Sequence, residues 1–288
     1  MNPIVIQLAN GNLFFAGLVM IVGALFFRLR FGGRISGFVL RTSLITGIIF
    51  VVFSAAPLFL WLYGLWFGIS VFAALVVFGK TSSFQKKLLA SSAALLCSAA
   101  MCLLELPFHL SPSIRVLSNQ TVFVIGDSIS AGISRKERPW PDALSSISHL
   151  RVVNLAKPAA SVETAIDQCA GITETNSLVL LEIGGNNLLG QDDSKVFLTQ
   201  LDRLLGRLKN GNHRVVMFEL PLLPFQNRFG EAQRVLARKH GAFLIPKRFL
   251  TDVFALKDGT LDGLHLSQKG HDAMADSVYG LLKIQAVR

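Results

Sequence analysis

The nine residues Val122–Ser130 read V-F-V-I-G-D-S-I-S and decide the fold of the second half of the chain. The first four are apolar, which is typical of a strand buried on both faces of a sheet. Gly126 permits a sharp turn at the end of that strand. Ser128 then lies at the carboxyl end of the strand and the start of a helix, where α/β sheets bind ligands and negative charge is stabilised. By itself the Gly-Asp-Ser triplet fits an ordinary turn and helix N-cap equally well.

Charge is unevenly distributed along the chain. The 288 residues include 28 Lys or Arg and 18 Asp or Glu, which gives a formal net charge of +10, and 51% are hydrophobic. Residues 1–119 contain eight of the basic residues but a single acid, Glu105. Nucleic-acid-binding proteins cluster basic charge on a folded surface. Here the basic residues flank apolar runs, so we expect a membrane and no nucleic acid as the partner.

Long uncharged segments in residues 1–105 predict about four transmembrane helices. Leu13–Phe27 is the first, and Thr42–Gly79 contains no charged residue at all. As a single helix, Thr42–Gly79 spans about 57 Å, which exceeds a hydrocarbon core of about 30 Å. A hairpin of two spans that turns near Ser54–Pro57 fits better. Leu88–Leu104 provides the fourth span.

The loops between these spans predict the orientation. The loops around residues 28–41 and 80–87 are basic, whereas the N-terminal segment and the 54–57 turn carry no charge. By the positive-inside rule the basic loops are cytoplasmic. Four spans then place everything after Leu104 on the extracytoplasmic (periplasmic) side of the cytoplasmic membrane. If the first or the fourth span does not form, the soluble part lies in the cytoplasm instead.

The remainder of the chain alternates between strand-like and helix-like segments. Residues 106–120 contain two prolines and are predicted as a linker, which separates a membrane region (1–105) from a soluble domain (121–288). Alternation of this kind predicts a parallel sheet with helices on both faces. The predicted strands are Thr121–Ile125, Arg151–Asn154, Leu178–Ile183, Arg214–Glu219 and Phe243–Ile245. The predicted helices are Val162–Cys169, Ser194–Lys209, Arg228–His240 and Ser267–Ile284.

Two further stretches contain residues suited to catalysis. Leu178–Ile183 ends in Gly184-Gly185-Asn186-Asn187, where the glycines permit a tight turn and an asparagine amide can face a reacting oxygen. Asp262-Gly263-Leu264-His265 precedes the last predicted helix, and an aspartate there can orient the imidazole and stabilise its protonated form. A plain Gly-Asn turn remains an alternative reading of the first stretch.

These stretches resemble the sequence blocks of the SGNH (GDSL-type) hydrolase family, over about Thr121–Leu282. Gly126–Ser130 corresponds to the first block, Gly184–Asn186 to the third and Asp262–His265 to the fifth. Trp140-Pro141 resembles the Trp-Pro that is common at the start of the family's next helix. The resemblance implies a three-layer α/β/α, flavodoxin-like domain with a parallel five-stranded sheet. We expect the first strand of that sheet to be central.

The second block departs from the family pattern. Asn154 is present, but position 159 is alanine where the family has glycine. The expected oxyanion donor there is a backbone N–H, which alanine also has. If the position requires a positive φ, alanine reshapes the oxyanion hole slightly. Asn187 also replaces the aspartate that often follows Gly-Gly-Asn.

The resemblance implies a role for each site residue. Ser128 is the expected nucleophile, His265 the general base and Asp262 the acid that orients it. The oxyanion and substrate are expected to be held by the Ser128 N–H and by three further residues. These are Ala159, Gly185 and Asn186. No metal or organic cofactor is called for.

The expected substrate is an acyl ester of an envelope glycan or lipid. An extracytoplasmic position argues against coenzyme A or carrier-protein thioesters, which are cytoplasmic. Two classes of substrate remain. One is the O-acetyl groups of surface polysaccharide or peptidoglycan, and the other is the acyl chains of lipids. Hydrolysis by an esterase or deacetylase is the main hypothesis. The alternatives are acyl transfer to a glycan by the same serine and a non-catalytic glycan- or lipid-binding module. The sequence identifies no protein partner.

Overall fold

The computed structural model of the chain describes residues 3–32, 34–134 and 136–286. These residues form two compact units. The helical unit consists of Gln7–Pro107 and the short segment Leu222–Asn227. The sheet unit consists mainly of Phe108–Pro221 and Arg228–Arg288.

Five helices form most of residues 1–105. They are α1 (Pro3–Ala9), α2 (Asn12–Phe31), α3 (Gly37–Phe53), α4 (Leu60–Phe78) and α5 (Phe84–Glu105). Three segments, Asn12–Phe31, Leu60–Phe78 and Phe84–His109, are long and apolar enough to cross a membrane. The fourth expected span, α3, has 17 residues and is about 26 Å long at 1.5 Å per residue. The chain turns between α3 and α4 where the sequence predicted a hairpin.

Two helices of this unit pack with their backbones in close contact. A Cβ on Gly17 of α2 would lie 2.5 Å from the carbonyl oxygen of Gly47 in α3, and a Cβ on Gly47 would lie 2.7 Å from that of Gly17. Small residues at such crossings are how membrane helices associate closely. Helices α4 and α5 form a second pair, in which Trp66 Nε1 of α4 donates a hydrogen bond of 3.1 Å to Ser98 Oγ of α5.

The sheet unit contains seven strands and eight helices among the described residues. The strands are β1 (Ile114–Leu117), β2 (Val122–Gly126), β3 (Val152–Asn154), β4 (Leu178–Glu182), β5 (Arg214–Phe218), β6 (Phe243–Ile245) and β7 (Leu282–Gln285). The helices are α6 (Ser128–Ala131), α7 (Trp140–Ser148), α8 (Val162–Gln168), α9 (Gly185–Leu189), α10 (Ser194–Asn210), α11 (Asn227–His240), α12 (Arg248–Ala255) and α13 (Gln268–Leu281).

The main sheet is parallel and five-stranded, as predicted, with the order β3-β2-β4-β5-β6. The prediction that the first of these strands is central was wrong, because β4 occupies the centre and β2 lies beside the edge strand β3. An apolar run indicates that a strand is buried on both faces. Every interior strand of a sheet is buried in this way, so the run does not give the position of the strand in the sheet. In the β2–β4 register Gly126 pairs with Glu182, so the turns after both strands meet at one edge.

Helices cover both faces of this sheet. Side chains alternate along each strand, and one set forms a core with α7, α12 and α13. The other set, which includes Phe123 and Val179, faces α8 and α10. The three-layer α/β/α architecture is therefore confirmed.

The two ends of the sheet unit differ from the sequence prediction. The last helix was predicted to extend to Ile284 but ends at Leu281, and the chain continues as β7. β7 pairs in parallel with β1 in a separate two-stranded sheet. The segment 106–120, predicted as a linker, therefore contains a strand. Apolar Leu282 and Ile284 alternate with polar residues, which is the period-two pattern of a strand. Because these two residues also continue the apolar face of the preceding helix, the sequence alone suggested that the helix extends through them.

Candidate active site

Ser128 lies where β2 is followed by α6. The Asp127 side chain caps this four-residue helix, and its Oδ1 accepts a hydrogen bond of 2.9 Å from the Ile129 N–H. Ser128 is 9% exposed. Among the described residues its own N–H has no hydrogen-bond partner. A hydroxyl and a free backbone donor therefore lie together at the carboxyl edge of the sheet.

Two buried carboxyl groups, Asp127 and Glu182, lie next to this turn. Burial raises the pKa of Asp127 to about 6, against the opposing effects of the Ile129 N–H, the charge of His265 and a hydrogen bond with Glu182. Burial and the nearby Asp127 charge raise the pKa of Glu182 well above its usual range. Glu182 is therefore the protonated member of the pair, and its carboxyl O–H donates a hydrogen bond to Asp127.

Ser130 extends this network to the neighbouring helix. Its Oγ donates to Glu182 Oε2 at 2.8 Å and accepts from Trp140 Nε1 at 3.1 Å. Asn154 Nδ2 donates to the Ser130 carbonyl at 2.9 Å, which joins the end of β3 to α6. The sequence analysis missed Ser130 and Glu182 as parts of the site. The available signal was a charged residue that ends the otherwise apolar strand β4.

Asp262 and His265 are brought together on the loop before α13. His265 Nδ1 lies 2.7 Å from Asp262 Oδ2, and Asp262 Oδ1 accepts the backbone N–H groups of His265 at 2.8 Å and Leu264 at 3.0 Å. These hydrogen bonds, with the one from the imidazole first, hold the pKa of Asp262 below its usual range. The aspartate is an ionised acceptor that fixes Nδ1–H as the donor, so Nε2 is available to accept a proton.

The predicted hydrogen bond between Ser128 and His265 is not formed among the described residues. The charge of His265 nevertheless lowers the pKa of Asp127, which directly precedes Ser128. The histidine therefore lies within electrostatic range of the α6 N-terminus. Hydrogen bonds between catalytic groups are often long in substrate-free sites and shorten when substrate binds.

The loop after β3 approaches the turn after β4. Asn186 Nδ2 donates to the Ala160 carbonyl at 2.9 Å, which uses one of its two amide hydrogens. Ala159 has a φ of +59°, in the left-handed region that favours glycine. Its N–H has no hydrogen-bond partner among the described residues. The departure from the family pattern at position 159 therefore falls at a position with a positive φ.

Gly184 and Gly185 form the turn that presents Asn186. Gly184 has a φ of +110°, and a Cβ there would lie 2.9 Å from Cε2 of Phe197. A Cβ on Gly185 would meet only Asp127 Oδ2, at 3.5 Å, which is an ordinary van der Waals contact. The backbone conformation and the contact with Phe197 therefore require glycine at position 184, whereas position 185 has room for a Cβ.

Two buried amides fix the strand ends around the site. Gln168 makes a reciprocal pair of hydrogen bonds with the N–H and C=O of Gly126, at 3.0 and 2.9 Å. Asn187 accepts the Val162 N–H at 2.9 Å and donates to Asp192 at 2.7 Å. Asn187 therefore holds the start of α8 rather than facing Ser128. The sequence analysis did not single out Gln168.

Among the residues that the structure describes, no group of three or more His, Cys, Asp or Glu side chains is arranged to bind a metal ion. The polar groups at the carboxyl edge of the sheet instead comprise a hydroxyl, an imidazole–carboxylate pair and amide donors. This set suits nucleophilic attack on a carbonyl carbon and stabilisation of the resulting oxyanion.

Comparisons with known proteins identify relatives of this chain both by sequence and by fold. The sequence profile of the GDSL-like Lipase/Acylhydrolase family matches residues 124–273, more than half of the chain. A curated arylesterase from Vibrio mimicus is 26% identical over 190 residues, which are 61% of this chain and 94% of the relative.

Two solved structures share the fold. The psychrotrophic esterase EstA from Pseudoalteromonas sp. matches with a TM-score of 0.50 and 21% identity, over 56% of this chain and 96% of EstA. TesA matches with a TM-score of 0.50 and 22% identity, over 56% of this chain and 97% of TesA. At these identities the likeness establishes the fold alone.

Proposed function

The chain belongs to the GDSL-like lipase/acylhydrolase family of ester-hydrolysing enzymes, and we propose that it is a membrane-anchored serine esterase with Ser128, His265 and Asp262 as its catalytic triad. The observation that carries the proposal is the 2.7 Å hydrogen bond between Asp262 and His265 at the edge of the sheet where Ser128 begins α6. A serine hydroxyl needs such a base to become a competent nucleophile.

The reaction proceeds through an acyl-enzyme. Ser128 Oγ attacks the ester carbonyl carbon while His265 Nε2 accepts the hydroxyl proton, and Asp262 stabilises the imidazolium. The bond to the leaving alcohol then breaks, and His265 returns the proton to the alcohol oxygen. Water, deprotonated by the same histidine, attacks the acyl-enzyme, releases the acid and regenerates Ser128.

The oxyanion is held by the N–H groups of Ser128 and Ala159 and by the Asn186 amide. The two backbone donors have no partner among the described residues, and Asn186 retains a second amide hydrogen. Loss of one such donor lowers turnover by roughly 100- to 1000-fold in other enzymes. We assign Gly185, which lies beside Asp127, to the same substrate-binding turn.

The test uses the purified full-length protein in detergent with phenyl acetate and a fluorophosphonate probe. The wild-type protein is expected to hydrolyse the ester and to be labelled, whereas Ser128→Ala loses labelling and at least about 1000-fold of the activity. Ser134→Ala, six residues along the chain, is the matched control and should behave as the wild type. If Ser128→Ala retains wild-type hydrolysis, Ser128 is not the nucleophile. If the wild-type protein neither hydrolyses the ester nor reacts with the probe, a binding module is the better explanation.

The substrate class follows from the chain's relatives and its membrane helices. The arylesterase relative supports activity on ester bonds. We assign the enzyme to acyl esters of envelope glycans or lipids, with O-acetyl groups as the main candidates. Basic loops at residues 28–41 and 80–87 support a catalytic domain on the periplasmic side of the cytoplasmic membrane.

Acyl transfer to a glycan hydroxyl by the same serine is the second candidate. The helical unit favours it, because a hydrolase needs no more than one span as an anchor. Product analysis separates the two reactions: acetyl transferred to an added sugar in preference to water indicates a transferase. Free acetate formed at the same rate with and without the sugar indicates an esterase.

The domain division extends the same proposal. We assign residues 1–105 to the membrane region and 121–288 to the catalytic domain, with 106–120 between them. The division of the described residues at Pro107 and Phe108 supports a boundary there. Since β1 pairs with β7, a soluble catalytic fragment should begin before Ile114.

A further inference from the structure

Two arginines of the helical unit lie against the same aromatic ring. Arg28, near the end of α2, has its guanidinium carbon 5.6 Å from the centroid of the Phe78 ring. Arg41, in the first turns of α3, lies 5.5 Å from the same centroid. Phe78 ends α4, so three helices bring two cations to one point at the basic end of the unit.

The helical unit does not supply the negative charge that this cluster needs. Arg28 donates one hydrogen bond of 2.9 Å to the Gly32 carbonyl. Among the described residues Arg41 has neither a hydrogen bond nor an ion pair. The one acid in residues 1–119 is Glu105, at the end of α5 and thus distant in sequence from the basic loops. Two like charges near one ring repel each other unless an anion lies between or beside them.

An apolar groove begins at the same point. It has a volume of about 450 Å³, runs between α3 and α4, and has Arg41 and Phe78 at one end. Its walls are formed by apolar side chains, namely Leu44, Ile45, Val71, Ala74 and Leu75. From Phe78 back to Val71 the groove follows α4 for about 10 Å at 1.5 Å per residue. A second cavity of about 240 Å³ contains Arg28 and Lys87.

We propose that this end of the helical unit is a binding site for an anionic phospholipid of the inner leaflet. The phosphate lies at Arg28 and Arg41, and one acyl chain occupies the groove between α3 and α4. Basic pockets between membrane helices on the cytoplasmic side bind anionic headgroups in this way. The apolar groove distinguishes a lipid from a free phosphate, because only the lipid has a chain to fill it. The proposal does not depend on the ester chemistry of the sheet unit.

The experiment measures lipid binding to the full-length protein in neutral detergent by native mass spectrometry and by the shift in Tm. The probes are dioleoylphosphatidylglycerol, dioleoylphosphatidylcholine and glycerol phosphate. Wild-type protein should bind phosphatidylglycerol in preference to the other two. Arg28→Gln with Arg41→Gln should weaken that binding roughly ten- to thirtyfold. Arg30→Gln with Arg34→Gln removes the same charge from the same end outside both cavities, and should change it by less than about threefold.

A second variant tests the groove without altering charge. Ala74→Phe fills the groove and should weaken phosphatidylglycerol binding while both arginines remain. The far-UV circular dichroism spectrum and the Tm without added lipid report in every variant that the helical unit is folded. The proposal is overturned if both double variants lose binding equally, if Arg28→Gln with Arg41→Gln loses none, or if Ala74→Phe binds as the wild type does. Equal affinity for phosphatidylcholine or for glycerol phosphate would overturn the assignment to an anionic lipid.

Discussion

Asp262 holds His265 through two contacts at once: its Oδ2 lies 2.7 Å from Nδ1, and its Oδ1 accepts the His265 backbone N–H at 2.8 Å. The imidazole cannot rotate without breaking the first contact, and the loop cannot unwind without breaking the second. The spacing of three residues is what permits both, because the carboxylate reaches forward over a single turn. The pair is therefore pre-arranged before any substrate binds.

Asp262→Asn tests whether this arrangement serves catalysis. The neutral amide cannot stabilise an imidazolium and can favour the wrong tautomer, so kcat should fall on the order of 10²- to 10⁴-fold with little change in KM. The measurement is steady-state hydrolysis of phenyl acetate. Asp258→Asn, in the same loop at a φ of +62° that asparagine tolerates, should retain activity. Equal kinetics for the two variants would remove Asp262 from the mechanism.

Asn186→Ala should lower kcat by roughly 100- to 1000-fold, because one oxyanion donor is lost. The side chain also bonds the carbonyl of the buried Ala160, but Asn186 itself is half-buried, so water can take the place of the lost amide. Stability should therefore change by less than about 1 kcal/mol. Steady-state kinetics measures the change in kcat, and denaturant unfolding of the same samples measures the change in stability.

The adjacent Asn187 provides the contrast. It is buried and satisfies the Val162 N–H, so Asn187→Ala should cost about 1–3 kcal/mol of stability by leaving that donor unpaired. Its effect on kcat should be smaller than that of Asn186→Ala. If the two variants exchange these effects, Asn187 and not Asn186 faces the reacting oxygen.

The strands of the main sheet were predictable because each is a short apolar run. Burial on both faces demands such a run, and the predicted limits of all five strands, β2 to β6, agree with the structure to within one residue. The order of strands was not predictable from composition, since β2 and β4 are equally buried. The pairing of β1 with β7 joins segments far apart in sequence, and neither is apolar enough to identify alone.

The candidate site was predictable where a motif fixes the local geometry and not where contacts are long-range. The Asp262–His265 pair follows from spacing within one loop. The Glu182–Asp127 pair depends on the β2–β4 register, which brings Gly126 opposite Glu182. No local pattern specifies that register. The separation of Ser128 from His265 likewise depends on how the loop before α13 folds over the sheet edge.

The C-terminus should lie outside the cytoplasm. With four crossings and cytoplasmic basic loops, a reporter that is active only in the periplasm should be active when fused after Arg288. The 17-residue helix α3 is the sensitive element, because it is shorter than the other three apolar helices. A bilayer thinned locally by a few ångströms accommodates it at modest cost. Protection of the catalytic domain from protease in sealed spheroplasts would contradict this topology.

Asp127→Asn should stabilise the protein at neutral pH. The folded-state pKa of Asp127 is raised from 3.8 to about 6 by burial, so its contribution to stability is full below about pH 4 and is lost as the pH rises through 6. Asparagine is neutral throughout and caps a helix equally well. The variant should exceed the wild type by about 1–3 kcal/mol at pH 7 and match it near pH 4. Denaturant unfolding at both pH values measures the difference.

Asp142→Asn is the control for that pH dependence. Asp142 is an exposed acid in the first turn of α7, where a negative charge favours the helix by about 0.3–1 kcal/mol. Its replacement should therefore destabilise slightly at pH 7, the opposite sign. A loss of stability at pH 7 in Asp127→Asn as well would show that the ionised carboxylate is fully compensated by its neighbours.

Ala159→Gly should stabilise the protein without a large change in kcat. Ala159 has a φ of +59°, which costs an L-residue with a Cβ about 1–2 kcal/mol. Glycine relieves that cost but gains about 0.4–1 kcal/mol of freedom in the unfolded chain. The first effect is larger, so a net stabilisation of up to about 1 kcal/mol is expected. The N–H at this position is unchanged, and kcat should stay within about twofold because the oxyanion donor is retained.

The same substitution at a residue without a positive φ separates these two effects. Ala170 is exposed in the short 3-10 turn after α8 and has an ordinary φ. Ala170→Gly gains only the freedom of the unfolded chain and should destabilise by about 0.5–1 kcal/mol. Opposite signs for the two variants in denaturant unfolding are therefore the expected result. If Ala159→Gly destabilises as much as Ala170→Gly, the left-handed backbone at position 159 carries no strain. A kcat that instead rises severalfold in Ala159→Gly would mean that the alanine distorts the oxyanion hole.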